Sequence, residues 1–413
     1  MISIRDALDL VLGAVVPRPA EEVALPDALG RVLADDVRAA FALPPFANSQ
    51  MDGFAVRARD LAGASASRAA ELRVTGTIAA GTSELPPVEA GCAVRIMTGG
   101  AIPPGADAVV KVEDTESAGG VVRIAVAPRP GEFVRPAGED VRAGDRVLER
   151  GRLLRAADVG MLAALGRPTV RVASRPRVAV LATGDELVPL GEPLTPGRIY
   201  NSNAYALAAA CREAGADAAV LGAARDERSE LTAALRAAAS FDVALTTGGV
   251  SVGDFDYVKD VMDEIGLERR FWQVAQKPGK PITFAARDGR LFFGLPGNPV
   301  SSLVCFELYV APALRRALGM RDVFPATVDV TLRATVKTAR DLTELVRCRL
   351  DRQGDTLYAT PTGTQSSGAL SSVALADALV VSPPGIPELR EGTRAKGLLT
   401  RTDRPLGSTH PFG

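Results

Sequence analysis

The segment with the clearest chemistry is a glycine-rich stretch that ends in two carboxylates. It runs from Asp242 to Asp256 and reads Asp-Val-Ala-Leu-Thr-Thr-Gly-Gly-Val-Ser-Val-Gly-Asp-Phe-Asp. A buried strand at 243–245 and a helix at 257–265 are predicted around it, so backbone N–H groups and the positive end of a helix dipole would face one concavity. Asp254 lies in the same place, and a hard divalent cation allows carboxylates to sit beside a phosphate. The pattern favours Mg²⁺ with a phosphorylated ligand over an ordinary turn capped by aspartates.

A second stretch that could do chemistry is the proline-stiffened turn Gln276-Lys-Pro-Gly-Lys-Pro281. Its two lysines, Lys277 and Lys280, are three positions apart, so both compact ammonium charges can face one anion. An isolated pair of this kind is usually a solvated basic turn. Because the glycine-rich segment already favours an anion, we expect the lysines to serve an anionic ligand as well.

The elements that would position these groups alternate between strands and helices. Apolar β runs are predicted at 178–181, 218–221, 243–245 and 291–295, and helices at 203–214, 229–239, 257–265 and 300–318. This order predicts a doubly wound α/β domain with a mostly parallel sheet, whose ligands bind beyond the carboxyl ends of the strands. The groups expected there are the glycine-rich segment, Thr183-Gly-Asp-Glu186, Asp226 and Leu295-Pro-Gly-Asn-Pro299, in which Asn298 would cap a helix beginning at Pro299.

The flanking regions predict three further lobes. Helices are expected at 4–15, 24–36 and 156–165, an extended linker at 168–176, and short β segments within 72–126 and after Pro325. The predicted domains are a helical and extended linker lobe (1–25 plus 143–175), a β-rich lobe (26–142), the doubly wound domain (176–323) and a C-terminal β-barrel-like domain (324–402). Within the β-rich lobe, Asp52 and Thr98 stand in loops as either ligand contacts or ordinary turn residues.

Composition excludes several function classes. The 413 residues carry 48 basic and 49 acidic side chains, which gives no sequence-wide attraction to nucleic acid or to an anionic membrane. The four cysteines have no metal-ligand spacing, and the single histidine, His410, lies in a proline-containing tail, so histidine catalysis and zinc ligation are not expected. The charged N-terminus does not resemble a signal peptide, and no apolar run is long enough to span a bilayer. We expect a reduced, cytoplasmic protein.

Seven motifs together carry a resemblance to a known family. They are Ser49-Gln-Met-Asp-Gly within 45–55, Arg95-Ile-Met-Thr-Gly, Arg135-Pro-Ala-Gly-Glu-Asp, Thr183-Gly-Asp-Glu-Leu187, Thr247-Gly-Gly-Val-Ser-Val-Gly-Asp, Lys277-Pro-Gly-Lys-Pro281 and Leu295-Pro-Gly-Asn-Pro-Val300. In this order they resemble the molybdopterin molybdenumtransferases, the MoeA family, which is related to the E domain of gephyrin. The resemblance covers nearly the whole chain. It implies an elongated subunit of four lobes with a MogA/MoaB-like central domain, a homodimer, and molybdate insertion into adenylylated molybdopterin with hydrolysis of the adenylate.

The resemblance also implies roles for individual residues. It gives catalytic roles to Asp52, Thr98, Glu186, Asp226 and Asp256, with Glu186 and Asp256 as Mg²⁺ ligands. Substrate and phosphate contacts are implied for Thr183, Gly184, Gly248, Gly249, Ser251, Pro296, Asn298 and Pro299. Molybdate contacts are implied for Lys277, Lys280, Ser301, Arg347, Ser367 and Ser371. Arg349 is a competitor of Arg347, because residues two apart on a strand face the same way, and Ser367 is preferred to Ser371.

Two other functions are compatible with parts of the sequence. A molybdopterin adenylyltransferase resembles the doubly wound domain, but the flanking lobes and the Met-Asp-Gly segment argue against that activity. A gephyrin-like scaffold would use the same fold to bind another protein. The resemblance also suggests contacts with the molybdopterin adenylyltransferase and with molybdoenzyme chaperones, and AMP release from adenylylated molybdopterin would separate the three functions.

Overall fold

The central α/β domain has the predicted doubly wound sheet. The computed structural model describes residues 1–224, 227–248, 264 and 266–401. In the described ranges, six strands lie in the order Asp217–Ala224, Arg177–Thr183, Val243–Thr247, Arg290–Leu295, Thr283–Arg287, Glu268–Trp272. The first four are parallel and the last two antiparallel, so the mostly parallel sheet is confirmed. The antiparallel pair at 268–287 was not predicted.

Helices cover this sheet close to the predicted positions. They are Ser202–Glu213, Arg228–Ala238, Pro299–Cys305 and Ala311–Ala317, and the last two are joined by a π-helical turn, Phe306–Val310. Pro312 explains this break in the predicted 300–318 helix, because proline has no N–H for the preceding turn. Across the parts of the chain described here, every helix is too short or too polar to cross a bilayer.

The main hydrophobic core joins three regions of the chain. Val180 and Phe293 belong to its central strands, Val11 comes from the N-terminal helix Ile4–Gly13, and Leu345 comes from the C-terminal domain. The N-terminal helix is stabilised by a capping box, in which the Ser3 hydroxyl accepts from the Asp6 N–H at 3.1 Å. This helix therefore packs on the α/β domain, whereas the sequence placed it in the linker lobe.

The linker lobe is built from paired strands and one helix. Its elements are Ala20–Ala24 paired with Thr169–Ala173, Val37–Arg38 paired with Arg146–Leu148, and the helix Ala156–Ala164. The helix predicted at 24–36 is wrong, since only the 3-10 turn Leu25–Asp27 forms. Gly30 has φ 72°, which ends helical geometry, and the Leu33 N–H then bonds to the Arg152 carbonyl at 2.9 Å. The lobe boundaries stay predictions, although this packing groups Ala28 to Ala39 with the linker lobe.

The β-rich lobe contains a six-stranded sheet in the described residues. Its order is Ala108–Lys111, Gly53–Val56, Cys92–Ile96, Ala70–Ile78, Val121–Ile124, Thr115–Ala118. Gly53 begins the second of these strands in very close contact with its neighbour, because a Cβ there would lie 2.0 Å from the Val110 carbonyl oxygen. Only glycine fits this position, and it fixes where the preceding Asp52 emerges from the sheet.

The C-terminal domain is a closed barrel of five strands, as predicted. The strands Thr343–Gln353, Thr356–Pro361, Thr327–Leu332, Arg394–Leu399 and Ala378–Ser382 are consecutive neighbours, and the last pairs with the first. A short strand of the α/β domain, Gln276–Lys277, adds in parallel to the barrel strand that begins at Thr343. The lysine turn therefore lies at the junction of the two domains.

Candidate active site

A crevice lies at the carboxyl ends of the two central parallel strands of the α/β domain. Its cavity volume is ≈ 210 Å³, and its lining includes Thr183, Glu186, Asn203, Gly248, Pro299 and Gly368. Gly368 comes from the barrel, so both domains contribute to the crevice. This is the place at which ligands of doubly wound sheets bind, and it includes four of the residues to which the resemblance gave roles.

The floor of the crevice requires glycine at position 248. Gly248 has φ 92°, and a Cβ there would lie 2.3 Å from the Thr183 carbonyl oxygen. The neighbouring Thr183 hydroxyl is buried and has no hydrogen-bond partner within the described ranges. A buried hydroxyl without a partner carries a desolvation cost. This hydroxyl is therefore suited to contact a polar ligand in the crevice.

Asn203 ties together two loops of the crevice and was missed from the sequence. Its side-chain amide donates to the Thr247 hydroxyl at 3.0 Å and to the Gly297 carbonyl at 2.7 Å. The Thr247 hydroxyl in turn donates to the Pro296 carbonyl at 3.1 Å. A sequence signal for this residue existed, because Asn201-Ser-Asn203 stands at the start of a predicted helix. In the structure, Asn201 caps that helix by accepting a hydrogen bond from the Ala204 N–H at 3.2 Å. Asn298 also occupies a cap position, but the expected side-chain capping bond is absent there.

The two lysines of the turn have different surroundings. The Lys277 ammonium lies 3.1 Å from a carboxylate oxygen of Glu344, a barrel residue that is only 2% exposed. The second Glu344 oxygen accepts from the Ala339 N–H at 2.6 Å. Lys280 is exposed and makes no ion pair with any residue that the structure describes. Sequence reasoning gave no sign of Glu344, because the two partners meet only when the domains do.

Arg347 holds the serine-containing loop at 364–372. Its guanidinium is 1% exposed and donates to the Ser372 hydroxyl at 3.2 Å and to the Ser366 carbonyl at 3.1 Å. Burial lowers the pKa of Arg347, while the Glu344 carboxylate opposes that shift. Arg349 is exposed whereas Arg347 is buried, so the shared environment that their spacing predicts is not found.

The loop at 364–372 also contacts the α/β domain. The Ser367 carbonyl accepts from the Val300 N–H at 3.1 Å, next to Ser301 in the helix Pro299–Cys305. The lysine turn reaches the same helix, because a Cβ at Gly279 would lie 3.4 Å from the Ser301 carbonyl oxygen. Ser371 is exposed in the short helix Leu370–Ala374. The structure thus brings Lys277, Lys280, Ser301, Arg347 and Ser367 into one region beside the crevice.

Asp52 and Thr98 form a separate constellation in the β-rich lobe. One Asp52 carboxylate oxygen accepts from the Thr98 N–H at 2.7 Å and from its hydroxyl at 2.8 Å. These hydrogen bonds, with the nearby Arg95 guanidinium, lower the pKa of Asp52 below its usual value. Both side chains are exposed, and neither lines the crevice within the same chain.

Only one of the two predicted Mg²⁺ ligands, Glu186, lies among the described residues. Asp226, Gly249, Ser251, Asp254 and Asp256 lie outside them, as does the predicted helix at 257–265 apart from residue 264. In the ranges that are described, no group of three or more His, Cys, Asp or Glu side chains is arranged to hold a metal ion. Glu186 lies at the crevice with its carboxylate over Gly184, where a Cβ would be 2.5 Å from a carboxylate oxygen. Its oxygens are hard donors of the kind Mg²⁺ prefers.

Comparison with known proteins covers almost the whole chain. Family profiles match at residues 2–166 (MoeA N-terminal region, domain I and II), 179–316 (probable molybdopterin binding domain) and 329–399 (MoeA C-terminal region, domain IV). The molybdopterin molybdenumtransferases of Staphylococcus epidermidis and Staphylococcus aureus are each 34% identical over 403 residues, covering 97% of this chain and 96% of the relative. A crystal structure of the molybdopterin biosynthesis MoeA protein from Pyrococcus horikoshii superposes with a TM-score of 0.84 at 33% identity, covering 97% of this chain and 99% of that one. The chain therefore belongs to the MoeA family of molybdopterin molybdenumtransferases.

Proposed function

We propose that this protein inserts molybdenum into molybdopterin, with adenylylated molybdopterin and molybdate as substrates and with Mg²⁺-dependent hydrolysis that releases AMP. The observation that carries the proposal is the contact between the Ser367 carbonyl and the Val300 N–H at 3.1 Å. It joins the barrel loop held by Arg347 to a crevice suited to phosphate. One region can therefore receive both a phosphoanhydride and a second oxyanion.

The chain's own residues divide between these two anions. At the crevice, the Thr183 hydroxyl, which has no hydrogen-bond partner among the described residues, would contact the substrate phosphates. In the neighbouring region, Lys280 is a cation that no described carboxylate neutralises, and it would bind molybdate with help from Lys277. Cations positioned around both anions stabilise the negative charge that must be brought together in this reaction.

Glu186 and Asp256 would hold the Mg²⁺ ion. When bound, the ion would neutralise charge on the phosphates of the leaving adenylate. Glu186→Gln keeps the shape of the side chain and removes its charge, so we propose that it raises the Mg²⁺ concentration needed for half-maximal AMP release. Glu192→Gln, an exposed glutamate on the same segment, is the control and should leave this requirement unchanged. Full activity of the wild type in excess chelator would rule out the metal role.

We propose that the active protein is a homodimer in which the β-rich lobe of one protomer completes the crevice of its partner. Asp52 and Thr98 are exposed, bonded to each other, and absent from the crevice of their own chain. Mixing inactive Asp52→Ala and Asp256→Ala protomers should restore about half of the wild-type activity per mixed dimer, because one of two sites is then intact. Mixed dimers that form but remain inactive would contradict the shared site.

The central experiment is AMP release by purified protein given adenylylated molybdopterin, molybdate and Mg²⁺. The proposal predicts AMP release that depends on molybdate and is accompanied by molybdenum cofactor formation. Pyrophosphate release from ATP and molybdopterin would instead indicate the adenylyltransferase. Absence of both reactions, with tight binding of another protein, would indicate the scaffold.

We further propose a reducing, cytoplasmic location and contacts with the molybdopterin adenylyltransferase and with molybdoenzyme chaperones. All four cysteines are buried and free, which suits a reducing compartment. The location can be measured by fractionation of cells expressing a tagged chain. The contacts can be measured by titrating the tagged chain with each purified candidate.

A further inference from the structure

A buried polar network lies directly beneath the lysine turn. The Gln276 side chain is 0% exposed, and its amide nitrogen donates to the Pro278 carbonyl at 3.1 Å. Its amide oxygen accepts a hydrogen bond from the Tyr309 hydroxyl, which is equally buried. The Cys305 thiol lies 3.5 Å from both the Gln276 amide nitrogen and the Gly279 carbonyl. Two turn carbonyls are thus bonded to side chains below the turn.

This network is an unusual use of polar groups in an apolar core. Cys305 and Tyr309 belong to the main hydrophobic core of the α/β domain, and Phe271 packs against Tyr309 with ring centroids 6.4 Å apart. An amide placed in such surroundings costs stability unless its hydrogen bonds are made, and an apolar side chain of the same size would carry no such cost. Packing alone therefore does not explain why a glutamine stands at position 276. Its hydrogen bonds orient the backbone of the lysine turn, and this orientation gives it a role.

Gln276 and Cys305 orient two carbonyl groups of the lysine turn. Pro278 and Gly279 are buried, while Lys277 and Lys280 on either side are exposed. A carbonyl oxygen carries partial negative charge and would repel an oxyanion that approached the turn. Hydrogen bonds from Gln276 and Cys305 draw both oxygens towards the core. The exposed face of the turn is consequently left to the ammonium groups.

The turn has little freedom to move independently of the network. Gly279 has φ 88°, and a Cβ there would lie 2.5 Å from the Cys305 sulfur and 2.8 Å from the Gln276 amide nitrogen. The backbone of the turn therefore rests on the two side chains that bond to it. A substitution of either side chain should therefore shift the backbone of the turn, because protein interiors are close-packed.

We infer that Gln276 and Tyr309 are positioning residues for anion binding, which hold the carbonyls of the lysine turn away from the anion so that Lys277 and Lys280 face it. Gln276 acts through the Pro278 carbonyl. Tyr309 acts one step further away, by fixing the amide of Gln276. The inference rests on the proposed function, in which the bound anion is molybdate.

The test compares Gln276→Met, Tyr309→Phe and the double variant in a molybdate titration of AMP release. Both substitutions preserve volume, and Tyr309→Phe removes a single hydroxyl, so the variants should fold. The KM for molybdate should rise roughly three- to tenfold, as expected when one hydrogen bond that positions a binding group is lost. The kcat at saturating molybdate and the KM for adenylylated molybdopterin should stay within about twofold. The double variant should be little worse than Gln276→Met, because the two residues act through one hydrogen-bonded chain.

Two controls make the outcome decisive. Phe293→Leu destabilises the same core at a residue that packs on Phe284, with ring centroids 4.9 Å apart, so an equal rise in molybdate KM for this variant would show a general core effect and overturn the inference. Lys280→Ala reports whether the turn binds molybdate at all. If Lys280→Ala raises the KM but Gln276→Met and Tyr309→Phe do not, the positioning role is wrong and the proposed function stands. If Lys280→Ala has no effect either, anion binding by the turn fails and the inference falls with it.

Discussion

The two lysines of the lysine turn should differ in their importance for stability. Lys277 lies 3.1 Å from a carboxylate oxygen of Glu344, and Lys280 has no ion-pair partner among the described residues. Breaking a fully buried ion pair costs about 3–5 kcal/mol, and an exposed one about 0–1 kcal/mol. The Glu344 side chain is 2% exposed but that of Lys277 is 51% exposed, so Lys277→Ala should fall between these limits, at about 1–2 kcal/mol. Lys280→Ala should cost less than about 0.5 kcal/mol, as an ordinary surface change does.

Thermal and urea unfolding of the two variants measure this difference. For a cooperative unit of domain size, each kcal/mol shifts Tm by roughly 2–4 °C, so Lys277→Ala should melt at a visibly lower temperature than Lys280→Ala. Glu344→Gln keeps an acceptor for the Ala339 N–H and removes the buried charge. In that background Lys277→Ala should therefore cost little. Equal Tm values for the two lysine variants, or an unchanged cost of Lys277→Ala beside Glu344→Gln, would refute the reasoning.

Three further predictions concern the crevice, the barrel loop and a half-buried acid. Gly248→Ala should abolish AMP release or unfold the domain, because its Cβ would meet the Thr183 carbonyl oxygen at 2.3 Å, and circular dichroism with activity will tell the two apart. Arg347→Lys should speed amide hydrogen exchange in the loop at 364–372, since one ammonium cannot replace the guanidinium fork that bonds to it. Burial, opposed by Arg315, raises the pKa of Glu307 from 4.5 to about 7. Between about pH 4.5 and 7 the folded state therefore keeps a proton on Glu307 that the unfolded state has lost, so the free energy of unfolding should fall as pH rises through this range. Glu307→Gln should remove the corresponding fall in Tm.

The central strands themselves could be predicted because their signals are local. Val243–Thr247 and Arg177–Thr183 are buried on both faces and read as short apolar runs, which is typical of parallel strands covered by helices. Glu268–Trp272 was missed because it reads Glu-Arg-Arg-Phe-Trp, with a single buried residue. It lies at the edge of the sheet, where one face and one row of backbone groups are open to water, so no apolar pattern was required.

Sequence indicated the residue types of the candidate site but not their contacts. Gly248 and the lysine turn were indicated by sequence, since glycine, proline and charge have strong local meaning. Glu344 and Gln276 gave no such signal, because a carboxylate and an amide become informative only when burial and partners are known. The bond between Asp52 and Thr98 likewise joins two motifs that are distant in the chain.

The packing of the N-terminal helix has a consequence for synthesis of the chain. Val11 is buried against the α/β domain, and the helix Ile4–Gly13 contacts the π-helical turn Phe306–Val310 and the helix Ala311–Ala317. At a ribosomal rate of roughly 5–20 residues per second, the partners of this helix emerge about 15–60 s after it does. A helix of this length is marginal alone in water, so its apolar face is open to chaperones during that interval. The linker and β-rich lobes can fold first, and the domain that carries the crevice closes only after residues 306–317 have been made.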